Sequence, residues 1–103
     1  MITTFKIFEN NIEDNWYNLF VNLSDYSAYD KILHYYNLSK KLNIETHFYY
    51  YNELDYIIID VYLSDNEYED NYNEYDCFSE GGNLLGDKEI NIELWLKTKK
   101  YNL

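Results

Sequence analysis

The side chains able to do acid–base, nucleophilic or metal chemistry are two histidines, one cysteine and many carboxylates. Catalytic and zinc-binding histidines need partners at defined spacings, and His34 and His47 stand in no His-x-x-x-His or His-Cys pattern. Cys77 is the only cysteine, and the nearby Asp76 and Glu80 disfavour the thiolate that a nucleophile requires. We therefore expect no catalytic activity and no cofactor, with both histidines at the surface or partly buried.

Two stretches partly resemble ligand-binding loops, one for phosphate and one for calcium, but neither has the residues that such a loop requires. The stretch GGNLLG lacks the spacing and the lysine-serine pair of a phosphate-binding loop, which indicates a turn. The residues that follow Ser64 begin like a calcium-binding EF-hand loop, with alternating carboxylates from Asp65 onward. The sixth position is Asp70 instead of glycine, and the twelfth is Asp76 instead of glutamate. Weak attraction of a divalent cation to clustered carboxylates is the metal-dependent alternative that remains.

The acidic connection, SDNEYEDNYNEYDCFSE (64–80), is the most unusual stretch of the chain. It holds seven carboxylates, three tyrosines and no basic residue. From Glu45 to Glu93 there are fourteen acids and one lysine, Lys88, and the formal net charge of the chain is -11. Many of these carboxylates must lie within a Debye length of about 8 Å of one another. No direct nucleic-acid or membrane partner is expected, because binding to phosphate requires lysine and arginine.

The acidic connection has two interpretations: a solvated segment that keeps the protein soluble, or a surface that a basic partner binds. The tyrosines favour the second, because tyrosine offers large contact area at low entropic cost and is enriched at interfaces. Alternating acids would also line one side of an extended strand at intervals of about 6.6 Å, matching a groove that binds nucleic-acid backbone. The predicted partner-binding residues are Asp65, Glu67, Tyr68, Glu69, Asp70, Tyr72, Glu74, Tyr75 and Asp76.

Small size, acidity, richness in tyrosine and asparagine, and the lack of a catalytic constellation are shared with a known class of proteins. In these properties the chain resembles the small anti-CRISPR and antirestriction inhibitors of phages and plasmids. The resemblance implies a DNA mimic that occludes the basic nucleic-acid-binding site of a defence effector without turnover. An immunity protein that neutralises a toxic nuclease would use the same physics. A divalent-metal protein or small enzyme built on the carboxylate cluster is the third interpretation.

Length and composition place the chain among ordinary folded domains. At 103 residues with 47% hydrophobic residues, one domain is expected. No apolar segment approaches the ~20 residues needed to cross a bilayer. The N-terminus MITTFKIFENN lacks the basic region and apolar run of a signal peptide. A single cysteine fits a reducing compartment, so we expect a cytoplasmic protein, in the host cell if the gene belongs to a phage.

Hydrophobic periodicity predicts an α+β domain with the order β-α-α-β-β-β. The first helix is predicted by an apolar stripe at helical spacing, formed by Ile12, Trp16, Leu19, Phe20 and Leu23. The last strand is predicted by strict alternation in KEINIELWLKTK. Two amphipathic helices should then pack on one face of a four-stranded, mainly antiparallel sheet. The predicted strands are 2–9, 44–51, 54–63 and 88–99, and the predicted helices are 11–23 and 27–42.

Overall fold

A run of β-branched residues forms the most buried strand of the protein. The structure is a computed structural model that describes residues 15–81 and 88–101. In order, the described elements are β1 (Trp16–Asn22), α1 (Ala28–Leu42), β2 (Thr46–Tyr51), β3 (Tyr56–Tyr62), α2 (Asp65–Asp70), α3 (Tyr72–Tyr75), β4 (Ser79–Glu80) and α4 (Ile92–Tyr101). Five consecutive residues of β3, from Ile57 to Val61, are buried, because this strand has neighbours on both sides and cover on both faces.

The four strands form one antiparallel sheet with the order β2-β3-β1-β4. Leu19 of β1 lies opposite Ile59 of β3, which in turn lies opposite Phe48 of β2. Because side chains alternate along a strand, these three residues share one face of the sheet. We call this the helix face, and the opposite side, which carries Phe20 and Ile58, the second face.

The hydrophobic core lies between the helix face and the helices. Helix α1 contributes Ile32 and Tyr35, and α4 contributes Leu96 to the same buried cluster as Ile57 and Ile59. The predicted α+β class is therefore confirmed, with helices packed against one face of a four-stranded antiparallel sheet. No helix in the described ranges is long and apolar enough to cross a membrane.

Helix α1 and strands β2 and β3 confirm three of the predicted elements. Helix α1 ends at Asn43, which adopts the left-handed conformation with φ 56°, a common way to stop a helix. Lys40 and Lys41 lie in the last turn, where their positive charges interact favourably with the negative end of the helix dipole. The turn at residues 52–55 then joins β2 to β3 as an antiparallel pair.

The predicted first helix (11–23) is wrong over the part of it that the structure describes. Residues from Trp16 to Asn22 form β1, and its alternate residues Tyr17 and Val21 are buried on the helix face. The same residues satisfy both a helical and a two-residue period, and pairing with β3 decides between them. The predicted strand 2–9 lies outside the described residues.

The predicted last strand (88–99) is also wrong. Its first residues do pair with β2, through a bridge between Tyr49 and Glu89. The chain then enters α4, which Asn91 opens by accepting a hydrogen bond from the Leu94 amide at 3.1 Å through its side-chain oxygen. Leu96 is buried, and Ile92 and Trp95 pack against the same core, so apolar contacts fix as a helix a segment whose alternation suggested a strand.

Candidate functional site: an acidic surface on two short helices

The acidic connection folds into helix because its first residues form a capping box. Ser64 Oγ accepts a hydrogen bond from the Glu67 amide at 3.2 Å, and Glu67 Oε1 accepts one from the Ser64 amide at 2.9 Å. Asp65 adds a negative charge to the first turn, where the helix dipole favours it. The expected extended row of Asp65, Glu67 and Glu69 is therefore wrong. Glu67 closes the cap, while Asp65 and Glu69 share one side of the helix.

Tyrosines fasten these short helices to the sheet. The ring of Tyr68 stacks on Tyr17 of β1, with centroids 4.7 Å apart and planes 6° from parallel. Tyr72 meets Tyr68 edge-on at 5.6 Å and is 52% exposed. The stack gives α2 a fixed position that six residues of helix could not hold alone in water. Tyr72 is thus the predicted aromatic anchor that a partner could reach most readily.

Tyr75 is a correction to the predicted site. Its side chain is 0% exposed and packs in the core beside Tyr35 and Phe78, so it cannot contact a partner at this surface. Its hydroxyl has no hydrogen-bond partner among the described residues. Burial, with a smaller effect of the neighbouring Glu74, raises the pKa of Tyr75 to about 12. Tyr75 supports the acidic surface from below.

The substitution Tyr75→Phe is expected to leave stability unchanged or to raise it by about 1 kcal/mol, because it removes a buried hydroxyl that lacks a partner. Urea unfolding followed by circular dichroism measures this. The matched control is Tyr35→Phe, which removes a hydroxyl that donates to the Glu74 carbonyl at 3.2 Å. That variant should lose about 1 kcal/mol. Equal losses for both variants would contradict this assignment.

The carboxylates of α2 and α3 face solvent. We define the acidic surface as the exposed residues Asp65, Glu69, Asp70, Tyr72, Glu74 and Asp76. Among the described residues, the only ion pair that involves this set joins Glu74 to His34 at 3.6 Å. No described lysine lies within 4.0 Å of these carboxylates. The charge is therefore available to a partner.

Acidic residues from several elements lie close enough to Tyr68 to affect its pKa. Burial raises the pKa of Tyr68, and Tyr72, Glu80 and Asp76 add to the shift through their charges. Asp76 follows α3 in the chain and Glu80 lies in β4, so the fold brings acids from beyond α2 toward its tyrosine. Tyr72 and Asp76 of the predicted set thus lie near Tyr68, while Glu67 and Tyr75 serve the fold.

A second polar cluster crosses the second face of the sheet. Asn18, Asp60 and His47 lie opposite one another on three adjacent strands. Asp60 is 0% exposed and accepts a hydrogen bond from the Asn18 side-chain amide. His47 contacts Glu45 at 2.8 Å and Glu89 at 2.7 Å through its two ring nitrogens. The sequence feature that could have indicated this cluster is Asp60, the single acid within the apolar run of β3.

His47 gives stability a pH dependence. Burial lowers the pKa of His47, but hydrogen bonds with Glu45 and Glu89 outweigh it, so the pKa lies above its usual value. A raised folded-state pKa stabilises the protein fully below the unfolded value of about 6.5. That stabilisation is lost as the pH rises through the folded pKa. Asp60 lies opposite His47 on β3 and is a third acidic residue near this imidazole.

We expect the stability advantage of the wild type over His47→Gln to be full below the unfolded pKa of about 6.5 and to shrink as the pH rises above it. Urea unfolding of both proteins at several pH values measures the difference. The control His34→Gln removes a half-exposed histidine whose ion pair in the described part of the chain is with Glu74 at 3.6 Å, and it separates the effect of the His47 contacts from the loss of any histidine. If the stability difference between the wild type and His47→Gln stays constant with pH, the hydrogen bonds of His47 with Glu45 and Glu89 do not cause the pH dependence.

In the part of the chain that is described, no group of three histidine, cysteine or acidic side chains is placed to hold a metal ion. No protein-family model matches the chain, and neither a curated protein nor a solved structure matches it. The acidic surface is therefore interpreted from its own geometry and charge.

Proposed function

We propose that this protein is an acidic inhibitor that occupies the basic nucleic-acid-binding site of a defence effector and acts without turnover. The observation that supports this proposal is the acidic surface: exposed carboxylates without a lysine partner among the described residues, on and beside two short helices that tyrosines brace against the sheet. Carboxylates at this density offer a basic cleft what phosphates would offer it. The inhibitor would act in the cytoplasm of the cell that holds the effector.

The energetics of α2 favour a binding role over a purely structural one. Asp65 and Glu69 lie four positions apart on one helix, where like charges destabilise by about 0.2–0.5 kcal/mol. The helix has no basic residue in its last turn to offset the dipole. A surface arranged for stability alone would pair these charges, whereas a surface that meets a basic cleft is neutralised on binding.

Charge and aromatic contact are expected to contribute to binding in different ways. A net charge of -11 accelerates encounter with a basic partner and makes the association rate fall with salt. Tyr72, half exposed on α3 among the acids of the sequence, supplies aromatic contact area. The partner is thus expected to be a protein with a lysine- and arginine-rich nucleic-acid channel. Nucleic acid itself is not a partner.

Affinity capture from lysates of cells that carry defence systems tests the proposal. The immobilised protein should retain a nucleic-acid-binding effector, and duplex DNA added in solution should release it. The affinity should fall at least about ten-fold between about 50 and about 200 mM salt. Retention that neither DNA nor salt weakens would overturn the proposal. Capture of a toxic nuclease would replace it with an immunity function.

A further inference from the structure

Strand β1 keeps an open edge beyond its short partner β4. In the described residues β4 pairs only with Tyr17 and Asn18, and the Gly81 amide donates to the Trp16 carbonyl, which leaves residues 19–22 of β1 without a described neighbour on that side. The Leu23 amide donates to Asp55, on the β3 side of the sheet, at 3.1 Å. Odd-numbered residues of β1 therefore bond toward β3, and even-numbered ones point to the outer edge. The Phe20 amide and carbonyl face outward in this way.

A cleft opens beside the same edge, between β1 and α1. Its volume is about 360 Å³. Leu19 and Val21 line it from the helix face, and Cys77 lines it where the chain has left α3 and runs toward β4. Phe20 is 54% exposed at its mouth. An open strand edge and an apolar cleft thus lie next to each other, as in domains that bind an extended peptide by adding a strand.

Charge identifies the occupant. The lining includes Asp30 and Lys31, and Glu74 and Asp76 act on Tyr35 at the wall of the cleft. The surroundings are net negative, as is the whole chain at -11. A second copy would bring a second charge of this size to the edge, so self-association is disfavoured. A basic segment is favoured.

We propose that β1 binds one extended segment of a basic protein as an added antiparallel strand, paired at Phe20, with an apolar side chain in the cleft. In antiparallel pairing, the residue opposite Phe20 places its side chain on the second face, and its neighbours point toward the cleft. An alternating sequence therefore fits, with apolar residues toward the cleft and lysine or arginine over the exposed Phe20 ring. This site adjoins the acidic surface at Glu74 and Asp76, but it does not depend on the proposed inhibitor function.

The probe is a synthetic peptide of about nine alternating lysine and valine residues, long enough to span a typical strand. Two further versions carry N-methyl groups on the lysines or on the valines. All three have the same charge, but only lysine methylation removes the amides that would bond to β1. The lysine-methylated peptide should bind about ten-fold more weakly than the other two, since it loses the backbone hydrogen bond to the Phe20 carbonyl. Equal affinities for all three would overturn the proposal.

Two further measurements locate the peptide. Exchange of the Phe20 amide hydrogen should slow in the complex, and protection only at α2 and α3 would place the peptide on the acidic surface instead. The variant Cys77→Phe fills the cleft from an exposed position and should weaken the unmodified peptide. Charge reversal at Glu69 and Asp70 should leave the ratio among the three peptides unchanged. Sedimentation of the free protein as a dimer that the peptide dissociates would show the edge to be a self-association site and overturn the proposal.

Discussion

Replacing Gly81 with alanine is expected to destabilise the fold by about 2–3 kcal/mol. A methyl group at this position would lie 1.7 Å from Asn18 Oδ1. The Gly81 amide donates to the Trp16 carbonyl at 3.0 Å, so the backbone has little freedom to withdraw. Asn18 must therefore move, and its side-chain amide leaves the buried Asp60. A buried carboxylate that loses a donor carries a large desolvation cost. Urea unfolding measures the loss.

A double-mutant cycle isolates this mechanism. Asn18→Ala removes the side chain that the new methyl group would meet, so Gly81→Ala should cost much less in the Asn18→Ala background. The coupling free energy is expected to be about 1–2 kcal/mol. If the two losses simply add, the cost of Gly81→Ala has another origin and the contact with Asn18 is not its cause.

Reversing two charges on the acidic surface should weaken binding to the captured effector by about 100-fold or more, as for charged pairs at the centre of an interface. The variant is Glu69→Lys with Asp70→Lys. Both side chains are exposed, and neither takes part in a described ion pair or cap. Glu67 is left intact, because its side chain closes the capping box that starts α2. Binding assays at constant salt measure the effect.

A matched control separates local from global charge. Asp25→Lys with Glu53→Lys changes the net charge by the same amount at exposed turn positions away from α2 and α3. This control should slow association slightly and leave the dissociation rate unchanged. The free energy of unfolding of both variants should stay within about 0.5 kcal/mol of the wild-type value. If the control weakens binding as much as the variant, net charge acts without a specific surface.

Three elements could be predicted from the sequence because local signals agreed with one another. Helix α1 combines a long apolar stripe with lysines in its last turn, and Asn43 ends it. Strands β2 and β3 combine alternation and β-branched runs with a short turn between them. At these positions the intrinsic preference, the hydrophobic period and the turn chemistry all point to the same structure.

The two wrong elements were ambiguous locally. In β1, Trp16, Leu19 and Phe20 fit a helical stripe, but the strand buries Tyr17 and Val21 and turns Phe20 outward. In α4, alternation suggested a strand, yet Asn91 caps a helix that buries Leu96. Pairing with β3 and packing against the core are long-range contacts, which a short window of sequence does not contain.

The sequence by itself determined the class of the fold, the segregation of charge and the region where the acidic surface lies. These properties follow from composition and from local periodicity, which each segment carries with it. Tertiary structure decided which tyrosines belong to that surface: Tyr75 is buried in the core, while Tyr72 remains outside. Glu67, by contrast, is assigned to the start of α2 by the local capping box with Ser64. The physical reason is that a ring is placed in the core or left in solvent by neighbours far away in the chain, such as Tyr35 beside Tyr75 and Tyr17 beneath Tyr68.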